Sequence, residues 1–143
     1  MRRRAVELLA RREHSRRELA TKLKRLNPDA ALIEQVLSGL EAEHAQSDDR
    51  FTSEYIRQRS GKGYGPLRIQ QELRQRGITP PELLRAAMDS VDWLRLAVEV
   101  RHKKFGRTVP RAAAERARQM RFLQYRGFAM DQIRHAVQCK DIE

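Results

Sequence analysis

The stretch Ser15-Arg16-Arg17-Glu18-Leu19-Ala20-Thr21-Lys22-Leu23 carries the chemistry of a helix start. The Ser15 hydroxyl suits a first-turn N–H, and Glu18, three residues on, can reach back to the N–H of the cap. Leu19, Leu23 and Leu26 then recur at helical spacing and define one apolar stripe. Asn27-Pro28-Asp29 ends it, because proline lacks an N–H and clashes inside a helix yet suits the first turn of the next one. The same punctuation returns. Leu23, Leu73 and Leu123 fall at one fixed interval, and so do Asn27, Gly77 and Gly127, each placed to stop a helix. Ile33, Leu83 and Ile133 keep that interval, followed by Leu37, Ala87 and Val137. Stop and core positions returning together predict a repeated structural unit.

Working outward, Ala5, Val6, Leu8 and Leu9 give a short first helix, interrupted at His14 and Ser15. Ile33, Val36, Leu37 and Leu40 give a third. Ser47-Asp48-Asp49 supplies cap candidates for a helix beginning near Arg50 and carrying Phe51, Tyr55 and Ile56. Gly61, Gly63 and Gly65 form a flexible connection, and Pro66 opens a helix with Ile69 and Leu73 inside. Thr79-Pro80-Pro81-Glu82 reads as a second capping box with Pro80 in the first turn, followed by Leu83, Leu84, Ala87 and Met88. A seventh helix is expected from about Val91 to Lys104, with Trp93, Leu94, Ala97 and Val100 on its stripe. After a break at Gly106 to Pro110, two more helices hold Met120 and Leu123, then Ile133, Ala136 and Val137. No segment alternates long enough for a sheet. The expected architecture is all-α: one domain built as an elongated solenoid of three tandem three-helix repeats, about 1–46, 47–90 and 91–143.

Composition narrows the class. Of 143 residues, 40% are hydrophobic but only 6% aromatic, so the core must be mainly aliphatic. The net charge of +11 and pI near 10.8 favour polyanionic partners, and the cations are mostly Arg, whose planar fork grips phosphate or carboxylate. A single cysteine, Cys139, excludes a disulfide framework and a zinc site built on several thiolates. No stretch approaches the ~20 apolar residues of a membrane span. Arg11, Arg12 and Glu13 cut short the apolar start that a signal peptide would need. A cytoplasmic protein with no membrane association is expected.

Candidates for chemistry are few. Gly61-Lys62-Gly63-Tyr64-Gly65 lacks both the spacing and the preceding strand of a phosphate-binding loop, so it reads as a connection needing positive φ and close packing. Lys62 retains a possible anion contact above the N-terminus of the helix from Pro66. His14, His44, His102 and His135 show no paired metal-ligand spacing, and Asp48 and Asp49 are better as capping carboxylates than as metal ligands. No catalytic constellation, metal site or cofactor is expected. The functional candidates are the cations Arg57, Arg59, Lys62, Arg68 and Arg74, as contacts to nucleic acid or a protein coated with it, with Arg74 foremost because it projects away from Ile69 and Leu73.

Several of these runs carry a family resemblance. His14-Ser15-Arg16-Arg17-Glu18-Leu19 with Lys22-Leu23 resembles the first repeat of the RecX regulatory proteins. Asp48-Asp49-Arg50-Phe51 with Tyr55 and Arg59 is similar to the second, as is Lys62-Gly63-Tyr64-Gly65-Pro66 with Ile69, Glu72-Leu73 and Gly77-Ile78. Phe122-Leu123-Gln124-Tyr125-Arg126-Gly127-Phe128 resembles the closing repeat. Asn27 stands where a helix-stopping glycine is expected, and Ala129 where a cap is expected. The resemblance implies a non-enzymatic regulator of the RecA recombinase, acting in recombination, DNA repair and the SOS response. Such proteins lodge along the groove of the RecA–DNA filament and dampen strand exchange, ATP hydrolysis and LexA-type coproteolysis. Partners would be the filament with single-stranded or double-stranded DNA, bound by a monomer. The alternative from another class is an autonomous basic DNA-binding protein that competes for DNA.

Overall fold

The computed structural model describes residues 1–139, and among them the chain forms nine α-helices and no strand. These are α1 (Arg2–Arg11), α2 (Arg16–Lys24), α3 (Ala30–Ala42), α4 (Asp48–Gly61), α5 (Pro66–Gln75), α6 (Pro81–Met88), α7 (Trp93–Phe105), α8 (Ala113–Arg126) and α9 (Met130–Gln138). Two compact units are distinguishable. The first comprises Met1–Tyr55 with Leu73–Leu84, and the second Ile56–Glu72 with the chain from Arg85 on. The boundaries fall inside α4, α5 and α6. Residues 140–143, the end of the third expected repeat, lie outside the described residues.

In the first unit, Ala5, Leu8, Leu19, Leu23, Ile33, Leu37 and Leu40 form one apolar cluster. Two expected stripe residues miss it. Val6 is 44% exposed, and Leu26 is 59% exposed because α2 ends at Lys24. The capping box at the start of α2 is complete: Glu18 N–H donates to Ser15 Oγ and Ser15 N–H to Glu18 Oε1, both at 3.1 Å. Asp48 does not cap its own helix, which starts two residues before Arg50. Ser47 does that, accepting from Arg50 N–H at 3.1 Å. The Asp48 carboxylate accepts instead from the N–H of Arg16 at 2.8 Å, in the first turn of α2.

The helix stops explain the period. At Gly77 (φ +88°) the chain turns left-handed, Gly77 N–H donates to the Arg74 carbonyl and Ile78 N–H to the Leu73 carbonyl. Gly127 (φ +98°) repeats this, with Gly127 N–H on Gln124 and Phe128 N–H on Leu123. This pair of bonds is the Schellman stop. The first repeat departs from it. Pro28 holds the place of Ile78 and Phe128 but has no N–H to give, and it biases Asn27 away from helical backbone. There α2 ends instead with Asn27 N–H on the Leu23 carbonyl.

The third helix of the middle repeat slips by one residue. Leu84 and Met88 are buried, whereas the positions matching Ile33 and Leu37 are Leu83 and Ala87, both only half-buried. The cause lies at its start. Pro81 forces its neighbour Pro80 into extended backbone, so α6 begins at Pro81, not Pro80, and Thr79 falls outside the cap position. The Pro80 carbonyl accepts from Leu84 N–H.

In the second unit the cluster is Ala97, Val98, Leu123, Phe128, Ile133, Ala136 and Val137. Helix α7 starts at Trp93, two residues later than expected, because Asp92 caps it by accepting from Arg95 N–H at 3.1 Å. Its inner stripe takes Ala97, Val98 and Arg101 and leaves Leu94 42% exposed. Arg101 is wholly buried. Its Nε donates to the Ala136 carbonyl at 2.7 Å, and its terminal nitrogens reach the carbonyls of Thr108 and Cys139, both at 3.1 Å, and Gln119 Oε1 at 3.3 Å. Gln119 occupies the repeat position held by the buried Leu19 and Ile69. A core aliphatic has thus become the side-chain acceptor that a buried guanidinium requires. At α9 the capping box survives by half: Gln132 Oε1 accepts from Ala129 N–H at 2.8 Å, while Ala129 has no side-chain acceptor to return.

Candidate functional site

Lys62 lies in the connection between α4 and α5, which is bent by Gly63 at φ +86°. The five residues from Gly61 to Gly65 are held by backbone. Gly65 N–H donates to the Arg126 carbonyl at 2.8 Å and Leu67 N–H to the Gly127 carbonyl at 2.9 Å. Gly65 must be glycine, since a Cβ there would sit 2.4 Å from the Gly127 carbonyl carbon. These bonds narrow one sequence expectation. The Leu67 N–H in the first turn of α5 is engaged by the C-terminal end of α8, so it is not open to an anion beside Lys62.

Tyr64 is the centre of the cationic surface. The guanidinium carbons of Arg59, Arg68 and Arg126 lie 4.0, 4.4 and 5.0 Å from its ring centre. Such stacking fixes the planes of their forks. Arg59 and Glu72 form a two-bonded pair, with Nε and Nη2 each 3.0 Å from a carboxylate oxygen. Arg68 Nε is 3.6 Å from the same carboxylate. Arg126 Nη1 donates to the Lys62 carbonyl at 3.2 Å and packs 5.2 Å from the Phe122 ring. Arg68 also lies 5.8 Å from the Tyr125 ring, and Tyr125 is 77% exposed. Tyr125 shares a concavity with Leu67 and Met130, themselves 54% and 42% exposed.

The structure therefore gathers Arg59, Lys62 and Arg68 of the five candidate cations. Arg57 is exposed on α4 in the same unit, and Arg74 is exposed on α5 in the first unit. Arg126 and the two tyrosines are the additions that the sequence reading missed, with Lys103 and Lys104, which line a neighbouring cleft together with Lys62 and Arg126. Arg126 had one signal: it sits four residues after Phe122, on the same helix face. Among the described residues, no group of three or more His, Cys, Asp or Glu could hold a metal ion, and no helix is long and apolar enough to cross a membrane.

A second polar cluster lies in the first unit. His14 is buried between α1 and α2. Its Nδ1 donates to the Arg12 carbonyl at 3.1 Å, which leaves Nε2 to accept from the Lys22 ammonium at 2.9 Å. Burial pushes its pKa below the usual imidazole value, against the pull of the Arg12 carbonyl, and the Arg12 and Lys22 charges push the same way as burial. Burial alone would raise the Glu18 carboxyl, but hydrogen bonds from Arg12 and from Ser15 N–H hold it below the ordinary value. The cluster organises the α1–α2 corner.

This all-helical, strongly basic chain, with its aromatic-stacked arginines, has the form of a binding protein. Family models described as the first, second and third three-helix domains of RecX match residues 2–40, 47–88 and 91–137 in that order. A Regulatory protein RecX from Halorhodospira halophila is 46% identical over 138 residues, spanning 96% of this chain and 86% of its own. One from Pseudomonas putida is 43% identical over 144 residues, spanning 100% and 92%. Among solved structures, RecX from Lactobacillus salivarius superposes with a TM-score of 0.81 at 20% identity, over 96% of this chain and 92% of that one. The chain belongs to the RecX family of regulatory proteins.

Proposed function

We propose that this protein binds the RecA–DNA filament and lowers its recombinase, ATPase and coprotease activities without catalysis of its own. The ordered match of all three RecX domains carries this reading. The contacts are assigned to Arg57, Arg59, Lys62, Arg68 and Arg74, and we add Arg126, which stacks on Tyr64 beside Arg59 and Arg68. The net charge of +11 suits a filament whose DNA is a polyanion. The proposal has the protein act in the cytoplasm beside RecA, as a monomer on filaments formed on single-stranded DNA. The repeats are taken as functional modules of about 1–46, 47–90 and 91–143.

The test is RecA ATPase and strand exchange on single-stranded DNA, with this protein added across a salt series. Both activities should fall, and binding to preassembled filament should exceed binding to the same DNA naked at matched salt. Unchanged RecA activities under saturating protein would refute the proposal. The charge also supports competition for DNA as a second reading. Under that reading, naked DNA would be bound at least as tightly as filament, and inhibition would vanish when DNA is in excess.

A further inference from the structure

We propose that the cleft between the Gly61–Gly63 connection, α7 and α8 is a nucleotide site, in which an oligophosphate lies on Lys62, Lys103, Lys104 and Arg126. The inference goes beyond the regulatory reading and does not rest on it. The cleft encloses about 470 Å³, within the ordinary range of small-molecule sites. All four cations line it, and the one carboxylate among its walls, Glu99, is ion-paired with Arg95 at 3.2 Å. Like charges gathered around a concavity repel one another and raise its potential, and an entering anion removes that cost. A lone phosphate brings only about two negative charges, so four cations match a chain of phosphates better than a single one.

Two features make the site built. Arg126 is set in place before any ligand arrives, by its bond to the Lys62 carbonyl and its packing on Tyr64 and Phe122. Its planar fork matches two phosphate oxygens. Gly63 lets the connection close on α7, since a Cβ there would stand 3.1 Å from a Val100 methyl in a backbone conformation that side chains resist. Lys62 then lines the same cleft as Lys103 and Lys104. The remaining wall is apolar, formed by Leu96, Val100 and Phe122. Phosphate recognition beside an apolar wall fits a nucleotide, with the base or sugar against that wall. The nucleotide is either free in solution or part of a strand, and the two share this chemistry.

The experiment is equilibrium binding of fluorescently labelled ATP to the full chain in metal-free buffer, with competitors. Saturable binding is expected, with ATP displacing the label about tenfold better than AMP and several-fold better than inorganic triphosphate. Lys103→Gln with Lys104→Gln should weaken binding by about tenfold at an unchanged melting temperature. Lys24→Gln with Arg25→Gln, which removes the same charge from the first unit, should leave affinity unchanged. Oligothymidylate that displaces the label and is weakened by the Lys103/Lys104 pair assigns the site to a strand's nucleotides. ATP binding that oligothymidylate does not displace assigns it to free nucleotide. Absence of saturable binding by both ATP and the oligonucleotide would overturn the site, as would equal weakening by the control pair. Inorganic triphosphate competing as well as ATP would overturn the nucleotide assignment.

Discussion

Replacing Arg101 by Met tests the least expected feature of the core. The guanidinium is wholly buried and has no carboxylate partner among the described residues; its bonds there run to backbone carbonyls and Gln119. Two of those acceptors, the Ala136 carbonyl and Gln119 Oε1, meet it in fully buried surroundings. Each stranded buried acceptor costs about 1–3 kcal/mol. Removing a desolvated cation works the other way, and swapping a whole buried ion pair for apolar groups can even stabilise. That compensation is partial here, because the acceptors, backbone carbonyls and the Gln119 amide, stay behind. A net loss of about 2–4 kcal/mol is expected. Lys should lose less, about 1–2 kcal/mol, since an ammonium keeps three donors but not the fork. With a urea dependence of about 2 kcal/mol per molar, the Met variant's midpoint should fall by about 1–2 M. Amide exchange should quicken at the Gly106–Thr108 turn and the end of α9, and stay unchanged in α1 to α3. A Met variant as stable as the parent would refute the reasoning, showing that the carbonyls find water or that desolvation of Arg101 outweighs its bonds.

Three further outcomes are expected. His44 ends α3 at φ 60°, a left-handed backbone that costs a side chain about 1 kcal/mol, so His44→Gly should raise the melting temperature; a lower value would count against the strain. Gly65→Ala should destabilise by about 3 kcal/mol because the Gly127–Phe128 backbone cannot retreat, whereas Gly39→Ala, in mid-helix with nothing within 4 Å, should stabilise by up to about 1 kcal/mol; equal effects in urea melts would contradict the close approach. His14 is buried neutral with a lowered pKa, so its stability contribution is full above the unfolded value of about 6.5 and is lost as pH falls from there towards the folded value. Glu18, also lowered, loses its contribution only at more acid pH, below about 4.5. Urea midpoints should therefore fall between pH 7 and 5.5 in the parent and less in His14→Gln, and identical slopes would remove His14 from the account.

What the sequence disclosed follows from how local each cause is. The Ser15–Glu18 box, the glycine stops and Leu23, Leu73 and Leu123 act within six residues of backbone, so their pattern is readable without a fold. The slip in α6 is local too, since Pro81 alone forces it, but Thr79 offered a competing cap that read equally well. Arg101 was illegible for the opposite reason. Its acceptors lie 35 and 38 residues away at Ala136 and Cys139, and a charged residue on a basic helix reads as solvated until those carbonyls are in place. The candidate site divides along the same line. Arg57, Arg59, Lys62, Arg68 and Arg74 were grouped because they are close in sequence, yet closeness in sequence is weak evidence for a shared surface. The fold pairs Lys62 with Arg126, 64 residues on, and gives Arg59 to Glu72. What sorts these cations is the company of an aromatic ring. Tyr64 and Phe122 hold guanidinium planes in fixed positions, and a cation so held loses less freedom when it meets an anion than one on a free helix face. Arg126 is therefore the cation whose loss should matter most for an anionic partner. Arg126→Gln should weaken anion binding more than Arg57→Gln or Arg74→Gln, although all three remove one charge. Equal losses would show that net charge alone, and no built surface, draws the partner in.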